Sequence, residues 1–192
     1  MSSVVISGDT SGAVTLAAPA VAGTNTLTLQ AATATSAVNT LGTAVASTSG
    51  TSIDFTGLPA WIKRLTVMFT GVSTNGTSIV QIQLGSGSFT TTGYLCSGTT
   101  VSAAVGAALY TAGFGFGNSR AATVISSGNF VISNLTSNTW SGFGLLARSE
   151  GAVIDYSAGS IALGGVLDRV RITTVNGTDA FDAGTVNIMY EG

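Results

Sequence analysis

Two pairs of carboxylates are the side chains of this chain whose spacing invites hydrolytic chemistry: Glu150 with Asp155, and Asp179 with Asp182. Each pair flanks a turn. A glycosidase needs two carboxyls held about 5 to 10 Å apart across a sugar cleft. Sequence spacing alone brings many carboxylate pairs into that range, so solvated turn residues are the favoured reading of both. The chain has no histidine. That removes the commonest general base and metal ligand, and with them Ser-His-Asp, Cys-His and His-based zinc sites. The expectation is that the protein is not an enzyme and carries no cofactor.

Other chemistry-bearing stretches have bland readings beside their sharp ones. Asn176-Gly-Thr-Asp-Ala-Phe-Asp-Ala-Gly184 gathers oxygen ligands of the kind calcium accepts, but it lacks EF-hand spacing, and Asx turns explain its Asn and Asp equally well. Gly113, Gly115 and Gly117 alternate with Phe114 and Phe116, without the lysine and helix of a phosphate loop, so a core or interface strand is the better reading. Cys96 is the one cysteine, so no intramolecular disulfide forms, and its apolar neighbours point to a buried, inert thiol. Arg169 and Arg171 fall on one face of a strand, with Asp168, Asp179 and Asp182 as candidate partners. Buried at a subunit contact, these charges would fix register. On a solvated strand face, each pair would contribute less than about 1 kcal/mol. Tyr94, Tyr110, Trp140 and Tyr156 are candidates for a ligand-facing platform, because aromatic faces suit sugars. Core placement is the alternative for each.

These residues sit in a chain of unusual surface chemistry. Charged residues make up 7% of it, hydrophobic residues 45%, and Ser and Thr together number 52. A typical soluble domain is about 25% charged. Disorder is the first explanation to weigh for so much Gly and Ser, but after Ser52 the apolar residues fall into alternating runs that can build a core. A neutral, hydroxyl-rich surface keeps few charges to repel a neighbour, so an obligate oligomer is expected. The net charge is −2 with six scattered basic residues, which leaves no basic stripe for nucleic acid. No apolar run is long enough for a membrane span, and the first residues lack the pattern of a secretory signal.

The organising stretch is Ser52–Thr70. Ile53 and Phe55 alternate with Asp54 and Thr56, Gly57-Leu58-Pro59 turns the chain, and Leu65, Val67 and Phe69 alternate in a second strand. Ahead of it, residues 1–50 hold a single charge, Asp9. Val4–Ile6 and Ala13–Leu16 read as short strands around a Gly8–Gly12 turn, and Thr24–Leu29 alternates well. Ala31–Leu41 could form a short helix. The reading is an extended arm over 1–50 that cannot bury a core by itself. Residues 51–192 read as about eight to ten short strands at close spacing, an all-β, jelly-roll-like antiparallel sandwich. Within it, Val153–Tyr156 and Ile161–Leu163 read as separate strands. No heptads and no fixed internal period argue against a coiled-coil or solenoid shaft.

The segment SGAVTLAAPAVAGTNTLTL (11–29) resembles the N-terminal arm of many tailed-bacteriophage fibre and appendage proteins. TSIDFTGLPAWIKRLTVMFTGVSTNG (51–76) and LDRVRITTVNGTDAFDAGTVNIMYE (167–191) resemble their C-terminal β domains. The arm departs from the family where Gln30 replaces the usual proline. The resemblance implies a virion structural protein: a homotrimer whose arm (1–50) docks on other virion proteins, capsid or tail, and whose knob (51–192) is displayed outward. Host-surface glycan is a candidate ligand. A capsid decoration (cement) protein is the alternative reading, and a carbohydrate-binding module the third.

Overall fold

The computed structural model describes residues 39–192 in full and, before them, the backbone of two strands, β1 (Ser3–Ser7) and β2 (Ala13–Ala17). The chain divides into two units, Met1–Ser36 and Ala37–Gly192. In the first unit, β1 and β2 pair antiparallel with Ser3 opposite Ala17 and Ser7 opposite Ala13. The expected short strands at Val4–Ile6 and Ala13–Leu16 are therefore present as a hairpin. The Thr24–Leu29 stretch lies outside the described residues.

The second unit contains β3 (Asn39–Leu41), β4 (Val45–Ala46), β5 (Ser52–Thr56), β6 (Arg64–Thr74), β7 (Val80–Ser86), β8 (Ser88–Phe89) and β9 (Leu95–Val101). It continues with β10 (Val105–Tyr110), β11 (Phe114–Gly115), β12 (Ser126–Thr136), β13 (Thr139–Arg148), β14 (Ile154–Ala162), β15 (Arg169–Thr174) and β16 (Phe181–Glu191). A nine-stranded sheet runs β10-β9-β14-β13-β12-β6-β16-β3, with β4 also on β16, and a five-stranded sheet runs β11-β7-β15-β5, with β8 on β7. The pairings are antiparallel, so the fold class is all-β as expected. Among the described residues no helix is long and apolar enough to cross a membrane.

Alternation explains how these strands build a core. Ile53 and Phe55 of β5, Ile82 and Leu84 of β7, and Val170 and Ile172 of β15 point to one side of the small sheet. They join Leu65, Val67 and Phe69 of β6, Phe130 and Ile132 of β12, and Val186 and Ile188 of β16 in one buried cluster. Aromatic rings link the two sheets at its centre. Tyr94 meets Phe114 at a centroid distance of 5.1 Å, Phe114 meets Phe130 at 5.1 Å, and Phe116 meets Phe130 at 5.3 Å. Gly115, between Phe114 and Phe116, thus serves core packing, with the Tyr110 ring against it. Trp61, the bulk of the organising stretch, lies outside this cluster, half-exposed and stacked on Tyr190 at 5.7 Å. Its neighbour Ile62 enters the core.

Three local expectations change. The arm was expected to run to residue 50, but β3 and β4 pair with β16, Ser47 N donates to Gly184 O at 2.9 Å, and Phe181 N donates to Gly50 O at 2.8 Å. Residues 39–50 therefore edge the large sheet. Of the short-helix option for Ala31–Leu41, residues 31–38 lie outside the described residues, and Asn39–Leu41 is strand. An edge strand needs only backbone groups and a free neighbour, so it leaves little hydrophobic periodicity to read. Val153–Tyr156 and Ile161–Leu163 were expected as separate strands, but Ile154–Ala162 is one, and Ser157-Ala158-Gly159-Ser160 at its centre pairs on both sides.

Candidate functional site

The arginines of β15 have partners on the outer side of the small sheet. Arg171 lies directly opposite Asp54 of β5 and donates to it twice, Nε to Oδ1 at 2.8 Å and Nη2 to Oδ2 at 2.7 Å. Arg169 donates Nε to Asp168 Oδ1 at 2.7 Å. Both guanidiniums lie over Phe89, at 4.1 Å for Arg171 and 5.7 Å for Arg169. The hydrogen bond from Arg169 is the leading cause holding the Asp168 carboxyl below its usual range. Asp179 and Asp182 are not partners of these arginines. Asp179 accepts from Ser78 N at 2.8 Å and Asn176 Nδ2 at 2.6 Å, and Asp182 accepts from Ser73 Oγ. Asn176 Oδ1 also accepts from the backbone of Thr178 and Asp179 at 3.0 and 3.2 Å, an Asx turn in which the loop's oxygens satisfy the loop.

Three of the four candidate aromatics belong to the interior. Tyr94 and Trp140 are buried in the core, and the Tyr94 hydroxyl accepts from Leu84 N at 2.7 Å. Tyr110 packs against the core and donates to Gly117 O at 2.7 Å. Burial pushes the Tyr94 phenol well up and the Tyr110 phenol up to about 12. Tyr156 alone of the four faces out, 45% exposed. The four therefore form no common platform. Cys96 is buried beside Ser157, and burial raises its thiol.

A buried polar cluster escapes sequence reading. Arg148, on the inward side of β13, donates Nε to Asp155 Oδ2 at 2.6 Å and Nη2 to Asp155 Oδ1 at 2.7 Å. Its Nη1 reaches Glu150 at 2.8 Å and its Nη2 reaches the Ser119 carbonyl. Thr100 Oγ1 donates to Asp155 at 2.8 Å. Arg120 stands nearby, donating to Ser126 Oγ at 2.9 Å and Val124 O at 2.8 Å, and burial lowers its pKa. Asp155 is therefore not a solvated turn residue. It and Glu150 bind one guanidinium, a structural pair with no open cleft between them. The signal in the sequence was faint: a single Arg at an inward position of an otherwise apolar strand.

Among the described residues, the face of the large sheet turned away from the core carries several exposed apolar side chains. Register carries outward side chains in rows across the strands: Leu109 beside Ser97, Ala158 beside Phe143, and Phe143 beside Val131. The next row sets Thr99 beside Tyr156 and Tyr156 beside Leu145. Phe143 is 65% exposed, Leu109 83% and Leu95 76%. Between Phe143, Leu145, Tyr156 and Val131 lies an open groove of about 820 Å³, floored by Gly128 and Gly144. The polar groups among its lining residues include the hydroxyls of Tyr156, Ser97 and Thr99, the Asn129 amide and the backbone. It can bind by shape and apolar contact.

No protein-family model, no curated protein and no solved structure matches this chain.

Proposed function

We propose that this chain is a structural, non-catalytic protein of a bacteriophage virion: a short homotrimeric appendage whose N-terminal segment docks on the particle and whose β domain is displayed outward. The observation that carries this reading is the β1–β2 hairpin, which belongs to a unit of its own. By itself, a two-stranded hairpin of five-residue strands is marginal in water, and it gains stability from a surface to lie on. The resemblance of 11–29 to virion arms supports reading that surface as other virion proteins. The two sheets and their shared core support reading the second unit as a jelly-roll-like sandwich. The engagement of Glu150 and Asp155 by Arg148, of Asp179 by turn groups and of Asp182 by Ser73 of β6 supports a non-catalytic role.

Antibodies raised against residues 37–192 test this by labelling purified phage particles in the electron microscope. Label at the tail or on fibres is the expected result. Label spread over the head lattice replaces the appendage by a decoration protein, and particles without label end the virion reading.

A further inference from the structure

We propose that the outer face of the nine-stranded sheet is a homotypic docking surface, and that its occupant is a second copy of this chain. The inference deepens the assembly reading above by naming the surface through which copies meet.

Charge is the first argument. Along the outward positions of β10, β9, β14, β13 and β12 no residue is charged, and the charges of the face fall on β6 and β16: Arg64, Glu191 and Asp182. Arg64 and Glu191 lie directly opposite each other and pair at 3.8 Å, and Asp182 accepts from Ser73 Oγ. A second copy seated on the five uncharged strands meets no charge there. A face built for a charged partner would carry the opposite sign, because electrostatic complementarity is what selects such partners.

Composition is the second. Leu95, Val105, Leu109, Phe143, Leu145 and Tyr156 are all exposed, and all lie on four neighbouring strands, β10, β9, β14 and β13. Contiguous apolar surface of this extent marks contact surfaces in soluble proteins. The third argument is area. Seven strands about 4.8 Å apart, each showing some three to four outward residues, span on the order of 800 Å². A stable interface needs about 800 Å² from each partner. The groove beside Phe143 and Tyr156 gives the partner's projecting side chains a place to insert, as inner faces of packed sheets interdigitate.

Light scattering on the full chain at micromolar concentration should give a mass at least twice 19.0 kDa. The double variant Phe143→Lys with Leu145→Lys changes only outward side chains and should fall to 19.0 kDa with its far-ultraviolet circular dichroism unchanged. Hydroxyl-radical footprinting of the unmodified chain reads the same face without any substitution: Phe143, Leu145 and Tyr156 should be protected in concentrated solution and oxidised on dilution. A wild-type mass of 19.0 kDa overturns the proposal and hands the face to some other partner. A folded double variant that keeps the wild-type mass overturns it too, as does oxidation independent of concentration. These outcomes are separate from particle labelling, so the interface and the virion role can fail independently.

Discussion

Arg148 and Asp155 face each other across the β13–β14 hairpin as a two-pronged ion pair, Nε to Oδ2 at 2.6 Å and Nη2 to Oδ1 at 2.7 Å, with side chains 3% and 1% exposed. Burial works against the Arg148 charge, but its hydrogen bonds to Asp155 and Glu150 more than offset it and raise its pKa. Such a pair adds little over apolar packing, yet leaving one member alone strands a charge away from water. Asp155→Ala should therefore cost about 3 to 5 kcal/mol. Arg148→Met together with Asp155→Leu should cost less than Asp155→Ala. Urea unfolding of the two variants measures this. A single variant within about 1 kcal/mol of wild type would show that the cluster is not desolvated.

The Arg171–Asp54 pair has similar geometry and a different setting. Both side chains are 32% exposed. Water screens the attraction, so a double-mutant cycle with Arg171→Ala and Asp54→Ala should return a coupling below about 1 kcal/mol. Phe89→Ala should lower stability by a comparable amount, through the lost contact under the Arg171 guanidinium. The two prongs look alike on paper, and burial decides which one matters.

Gly117 connects that buried pair to Tyr110. Its φ is +78°, a Cβ there would lie 2.2 Å from Asp155 Oδ1 and 2.5 Å from Thr100 Oγ1, and its carbonyl accepts from the Tyr110 hydroxyl. Gly117→Ala combines left-handed backbone strain, about 1 to 2 kcal/mol, with overpacking of about 1 to 3 kcal/mol. The thermal midpoint should drop clearly, and a midpoint within a degree or so of wild type would contradict the tight approach.

The strands were legible where one side of the pattern was apolar. Ile53–Phe55, Leu65–Phe69, Val80–Leu84 and Val186–Tyr190 all appear as strands, because each buries alternate residues in the core. Strand β9 was not legible, because Leu95 points outward while Cys96, Gly98 and Thr100 point in, inverting the usual code. The same inversion hid the outer face: outward Phe143 and Leu145 beside inward Gly142 and Gly144 read simply as apolar sequence. Arg171 could be placed on its strand, but its partner Asp54 lies 117 residues away, and only the β15–β5 register brings them together.

Alkaline pH should destabilise the fold in a defined window. The Tyr110 phenol is pushed up to about 12 by burial, with neighbouring Cys96 and Asp155 adding to it, and burial raises Tyr94 as well. A phenol whose folded pKa exceeds the unfolded value of about 10 contributes stability that is fully present below pH 10. That stability is lost as pH climbs through the folded value, because the unfolded chain releases its proton first. Urea midpoints measured from about pH 9 to 12 should fall, and Tyr110→Phe should flatten part of the slope. A flat wild-type profile across that range would mean that Tyr110 is solvated.

The unit boundary makes the last prediction, and it separates two truncations that composition alone treats alike. Removing residues 1–36 takes away the first unit and leaves β3 and β4 on β16. Removing 1–50 also strips the edge of the large sheet, including Gly42 N donating to Ile188 O at 2.7 Å and Ser47, which is buried and donates Oγ to Ala183 O at 2.8 Å. A backbone hydrogen bond contributes roughly 1 kcal/mol net, and an exposed strand edge invites pairing with other chains. The shorter truncation should therefore keep the wild-type urea midpoint and stay soluble. The longer one should lose several kcal/mol, on the order of one for each bond removed, and aggregate. Equal midpoints for the two would return residues 39–50 to the arm.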